Sequence, residues 1–336
     1  MKVILFSFFF QLAVGAFSQE LPTFRVSDKI RIREAITISK KFGDNLFPGY
    51  SKVPFAIVLV TDSIEFLMYH PNPTPDFILM YKDSILKSNI YYRRRTFSQN
   101  FLATFPAVNG LSCIVVGIPE NTQKNSSEWI ITLLHEHFHQ YQNSAPDYFK
   151  SIDDLKLSGG DESGMWMLNY AFPYDSIPVK IQFENYSRAL YKTVNNISNN
   201  KFNLYFKKYI EERKKLQNLL SPSDYRYFSL QLWQEGLARY TEYKFLDLLV
   251  NYTPSKELLS LPDFETFNKL KHEMYKDEVE SLLKNKLNEA QRIAFYSIGF
   301  AEGLLLDKLN NKWRNKYLEK NFTLKIIQKK ISDFLK

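Results

Sequence analysis

The sequence predicts an α+β fold: a small, mostly antiparallel N-terminal sheet lobe followed by a mostly helical C-terminal lobe. Three observations predict it. Between Val53 and Ile118, short runs rich in β-branched and aromatic residues alternate with turn residues. Beyond Tyr141 the strand-like runs stop and apolar residues recur at helical spacing. Between the two regions lies Trp129-Ile-Ile-Thr-Leu-Leu-His-Glu-His-Phe-His-Gln-Tyr141, an amphipathic helix carrying three of the chain's 5 histidines.

Taken in order, residues 1–18 have a charged start at Lys2, an apolar run, and small residues at Ala16 and Ser18. This is the pattern of a secretory signal peptide, which predicts a periplasmic or extracellular protein. No cysteine stands at the cleavage site, which argues against a lipid anchor, and no later run reaches the roughly 18 apolar residues of a membrane span. Residues 27–42 read as a first helix. Residues 55–60 and 64–69 read as a hairpin turning at Thr61-Asp-Ser63, and Pro71-Asn-Pro-Thr-Pro75 as a loop. With strand candidates at 78–81, 89–94 and 111–118, the lobe has about four or five strands. Asn125-Ser-Ser-Glu128 reads as a capping box that starts the histidine-rich helix. Further helices are expected at 205–220, 225–251, 265–284 and 289–309, with a short one at the C-terminus. The expected organisation is a signal peptide (1–18) and one domain (19–336), divided into a sheet lobe with the histidine-rich helix (19–143), an insertion (144–224) and a helical lobe (225–336).

A chain of 336 residues is long enough to rely on a hydrophobic core. Its single cysteine, Cys113, excludes an intramolecular disulfide and lies in an apolar strand-like run, where it reads as a core residue. The net charge of +8 comes from scattered lysines. The one tight basic cluster, Arg93-Arg94-Arg95, reads as a solvated hairpin end, so no nucleic-acid partner is expected.

The chemistry resides in His135-Glu136-x-x-His139. Histidines four apart share one helix face and reach one metal ion, and this spacing is that of a zinc site. Glu136, beside the first ligand, is then the general base toward the attacking water. His137 points away from that face and reads as a packed, hydrogen-bonded core histidine.

Zinc held by two histidines needs a third protein ligand. Leu232-Trp-Gln-Glu-Gly-Leu-Ala-Arg-Tyr-Thr-Glu-Tyr243 supplies the best candidate, Glu235. Gly236 removes a side chain where this helix would approach the histidine helix closely. Arg239 and Glu242, on the same face as Glu235, are candidates to hold the ligands by hydrogen bonds. The alternative is an exposed Glu235–Arg239 ion pair.

His135-Glu-x-Phe-His139 followed by Trp233-x-x-Glu-Gly-x-Ala-x-Tyr240 resembles the gluzincin metallopeptidases, in particular the peptidase MA-like group, over about residues 129–243. The resemblance implies a zincin-like fold and one zinc held by His135, His139 and Glu235. It also implies Glu136 as general base and a peptide or protein substrate. One departure stands out. Glu235 follows His139 by 235 − 139 = 96 positions, far more than in that family, whereas Glu162 follows it by the more usual 162 − 139 = 23. Glu162 is therefore a rival ligand, although it lies in a glycine-rich loop and a helix positions a ligand better. The aromatic run Trp166, Tyr170, Phe172 and Tyr174 either lines a substrate groove or forms the core of the insertion. Tyr240 and Tyr296 are the candidate donors to a developing oxyanion. Two other readings are kept: a non-catalytic binding protein on a peptidase scaffold, and a structural zinc that ties the lobes together.

Overall fold

The computed structural model describes residues 22–319. The expected signal peptide and the short C-terminal helix lie outside the described residues.

The first helix, Val26–Leu46, leads into a six-stranded sheet. Its strands are β1 (Ile57–Val60), β2 (Ile64–Met68), β3 (Ile78–Asp83), β4 (Ser88–Arg94), β5 (Leu102–Val108) and β6 (Leu111–Gly117). Their order across the sheet is β3-β4-β2-β1-β6-β5. Every pairing is antiparallel except β1 with β6, which makes the sheet mixed.

Because successive side chains point to opposite faces of a strand, this sheet feeds two apolar clusters. Ile57, Leu59, Phe66, Met68, Ile114 and Val116 face the main core under the helices. Val58, Val60, Leu67, Cys113 and Val115 face a smaller cluster that Phe77 and Val108 complete. Cys113 is thus a packed core residue, and burial pushes its thiol pKa up to about 12.

β5 is the strand missing from the sequence expectation. It contains Pro106, and proline cannot donate to a sheet ladder, so the run is confined to an edge. The arginine cluster is built into the sheet: Arg93 pairs with Glu65 at 2.6 Å and Asp76 at 2.7 Å. Arg95 donates to the carbonyl of Asp62 at 2.9 Å.

The histidine-rich helix, Ser126–Asn143, follows β6 and starts with the expected capping box: Asn125 Oδ1 accepts from the Glu128 amide, and the Glu128 carboxylate accepts from the Asn125 amide. Three further bonds fix its height and rotation on the sheet. Trp129 Nε1 donates to the Gly117 carbonyl at 2.8 Å. Gln140 Nε2 donates to the carbonyls of Ala56 and Ser112.

The rest of the described chain is mostly helical: Ile177–Val194, Phe202–Leu219, Pro222–Gln231, Leu237–Leu248, Phe267–Lys284 and Ala294–Leu309 are its main helices. Three of them meet at Glu302, which is fully buried. One of its oxygens accepts from Tyr186 and Tyr209 at 2.6 Å each and from Arg213 at 3.0 Å. Donors of this kind offset the cost of burying a carboxylate. Phe172 stacks edge-on to Phe295, and Tyr170 stacks on Tyr227, so these rings join the core shared with the later helices. Among the described residues no helix is long and apolar enough to cross a membrane.

Candidate metal centre

His135, His139 and Glu235 each present one ligand atom, and these atoms all lie within 4.8 Å of one another. The two Nε2 atoms are 3.1 Å apart. Glu235 Oε2 lies 3.5 Å from that of His139 and 3.8 Å from that of His135. A tetrahedral zinc with ligands at about 2.1 Å holds them about 3.4 Å apart, so the donor set fits such an ion.

The hydrogen bonds explain why the imidazoles converge. His135 Nδ1 lies 2.5 Å from Glu242 Oε1, and a carboxylate can only accept, so Nδ1 carries the proton. His139 Nδ1 lies 2.7 Å from Gln142 Oε1. The amide of Gln142 is oriented by its other end, because Nε2 donates to the carbonyls of Trp233 and Gln234. With both Nδ1 atoms donating, two Nε2 lone pairs face each other, an arrangement that calls for a cation between them. Burial opposes charge on these rings, but the carboxylates outweigh it: Glu242 and Glu235 raise the pKa of His135 to about 10, and Glu235 raises that of His139. The pocket therefore favours positive charge, whether carried by protons or by a metal.

Glu235 reaches the histidines from a wide, π-type turn, Leu232–Gly236, between the helices Pro222–Gln231 and Leu237–Leu248. Such turns free carbonyls from the helical ladder. Here Gln142 and Tyr317 take up those of Trp233 and Gln234. Gln142 consequently orients His139 with one end and anchors the turn carrying Glu235 with the other.

Gly236 does permit a close approach, but its partner is not the histidine helix. The expectation is corrected by its contact with Gly299, on the helix Ala294–Leu309: a Cβ on Gly236 would stand 2.4 Å from the Gly299 Cα.

Arg239 and Glu242 lie where the helical spacing predicted. Arg239 donates to both oxygens of Glu242, at 3.1 and 3.0 Å, and to Glu278 at 2.6 Å. Ser297 donates to the other oxygen of Glu278. This chain ties the orientation of His135 to two further helices. The alternative Glu235–Arg239 ion pair does not form, because Glu235 faces the histidines and Arg239 faces Glu242 and Glu278.

Glu136 is 4 % exposed. The Thr104 hydroxyl on β5 lies 2.9 Å from its Oε2 and 2.9 Å from its backbone carbonyl, and its single hydrogen serves both. His137 is packed as expected, stacked on Phe55 and bonded to Gln140.

Two candidates are corrected. Glu162 is exposed in its loop and stays outside the histidine group, which is completed by Glu235. Tyr240 is buried, but its hydroxyl donates to Asp307 at 2.6 Å and receives a bond from Arg314, so it is not offered to the centre. Tyr296, by contrast, faces it: burial and then the charge of Glu235 raise its pKa well above the usual tyrosine value. Sequence reasoning missed Thr104, Gln142 and Arg292, which donates to the Tyr296 hydroxyl at 2.9 Å. Only Gln142 carries a local signal, since it stands three residues after His139 on the same helix face.

Compared with protein families, curated proteins and solved structures, the chain has no match.

Proposed function

We propose that this protein is an exported zinc-dependent peptidase with a zincin-like catalytic centre of the gluzincin type, hydrolysing peptide bonds. The observation that carries the reading is the convergence of His135, His139 and Glu235 on one point, with the carboxylate of Glu136 on the same helix. Two imidazoles and a carboxylate form the donor set of a hydrolytic zinc, with one coordination position left over. A bound zinc ion would supply Lewis acidity, acidifying water and polarising a peptide carbonyl.

The chain's own residues do the rest. Glu136 takes the proton of the attacking water and passes it to the departing amine. Thr104 holds one oxygen of Glu136, leaving the other for that water. Glu242 and Gln142 keep both imidazoles in the tautomer that presents Nε2. Tyr296 accepts from Arg292 and turns its own hydrogen toward the Glu235 carboxylate, so it donates to the carbonyl oxygen by swinging from Glu235 as charge develops there. Export rests on residues 1–18, with their charged start, apolar run and small residues at Ala16 and Ser18.

The test is release of new amino termini from a mixed peptide library by the zinc-loaded protein. The reading expects release that a chelator blocks, and a Glu136→Gln variant that keeps its metal and loses nearly all hydrolysis. Full activity in that variant would refute the mechanism. Global unfolding on chelation, with no hydrolysis before it, would instead identify a structural zinc.

A further inference from the structure

Arg292 stands apart from most of the chain's arginines. Arg25, Arg31, Arg33, Arg93, Arg213, Arg239 and Arg314 each pair with a carboxylate. Arg292 is half-buried in the short turn Gln291–Ile293, and its hydrogen bond goes to the Tyr296 hydroxyl. Among the described residues no carboxylate comes within ion-pair distance of it. The carboxylate whose charge reaches it is Glu235, which is committed to the histidines. A half-buried guanidinium is costly without an anion, and its planar fork matches a carboxylate with two parallel bonds.

We infer that Arg292 receives a carboxylate of the substrate, one residue away from the bond being cut. The inference rests on the peptidase reading for the position of that bond. Tyr296 is the donor that faces the centre, and the Arg292 guanidinium begins 2.9 Å from its hydroxyl. One residue of extended chain spans about 3.3–3.6 Å, so a carbonyl at Tyr296 puts a neighbouring acidic group within reach of Arg292. That group is either the free C-terminus of a peptide or the side chain of Asp or Glu. The remaining N–H donors of Arg292 supply the recognition, and Tyr296 holds the guanidinium in place.

Two matched substrate pairs test this with the zinc-loaded full chain. The first is a blocked dipeptide as free acid and as amide. The second is a longer peptide, capped at both ends, with Glu or Gln next to the cleaved bond. The carboxylate member of at least one pair should have a kcat/KM higher by about ten- to a hundredfold, as for hydrogen bonds to a charged group. The pair that shows the preference identifies the source of the carboxylate. Arg292→Gln should collapse the ratio to near unity, and Arg292→Lys should restore part of it, with both variants checked for an unchanged thermal melt. Equal rates within both pairs, or a ratio that survives Arg292→Gln, would overturn the inference and leave the peptidase reading intact.

Binding gives an independent readout. Titrating the free acid and the amide into the Glu136→Gln chain, with and without zinc, should show the acid binding more tightly only while Arg292 is present. That result without hydrolysis by the parent would sustain the carboxylate site while the peptidase reading fell. Equal binding of acid and amide would overturn the site.

Discussion

Gly236 and Gly299 face each other backbone to backbone: a Cβ on either would stand 2.4 Å from the Cα of the other. This contact seats the wide turn carrying Glu235 against the helix carrying Tyr296. The neighbours are backbone atoms, so they cannot rotate away as a side chain can. Gly299→Ala should therefore push the two helices apart and cost about 1–3 kcal/mol, as overpacking does. It should also weaken zinc binding, because Glu235 immediately precedes Gly236. Urea unfolding and chelator competition read the two effects. A variant matching the parent in both would show that the contact is not needed.

Glu242 orients His135 and is itself held by Arg239. Glu242→Gln keeps the shape and removes the charge that favours a protonated Nδ1. Losing such a partner typically costs about 10–100-fold in metal affinity, and that loss is expected here. Titration against a chromophoric chelator measures it. Unchanged affinity would mean that the imidazole is oriented by packing alone.

Far from the centre, the Lys29–Asp83 pair at 2.8 Å ties the first helix to β3. Burial opposes the Asp83 charge, but Lys29 and the amides of Leu86 and Ile85 outweigh it and hold its pKa below the usual value. Burial likewise opposes the Lys29 charge, and Asp83 and Tyr81 outweigh it, so the Lys29 pKa is raised. The Asp83 contribution is complete above the unfolded pKa of about 3.9 and is lost as pH falls through the lower folded value. The Lys29 contribution is complete below about 10.4 and is lost as pH rises through the higher folded value. The stability difference between the parent and Asp83→Asn should thus be flat from about pH 5 to 9 and shrink at both ends, by urea unfolding at each pH. A difference that is constant down to pH 3 would contradict this assignment.

The two-part layout is readable because period two and period 3.6 are local properties of a chain. So are the histidine spacing and the capping box, both of which lie within one helix. What failed to show was tertiary. β5 was hidden by Pro106 and by small residues, although a proline in a strand-like run is itself a sign of an edge. The parallel pairing of β1 with β6 has no local signature. Tyr240 and Tyr296 are equivalent by residue type, and only the packing of Asp307 and Arg314 around one of them separates the two. Arg292 follows Glu235 by 292 − 235 = 57 positions, and no periodicity links residues across such a distance. Gly236 was legible as a close approach, but its partner was not.

The most direct test of the whole account is zinc content per chain, by elemental analysis, of the parent and of its Glu235→Ala and Glu162→Ala variants. The parent should hold close to one zinc, Glu235→Ala should lose it and Glu162→Ala should keep it. Zinc lost with Glu162 and kept without Glu235, or no zinc in the parent after loading with the metal, would contradict this ligand set.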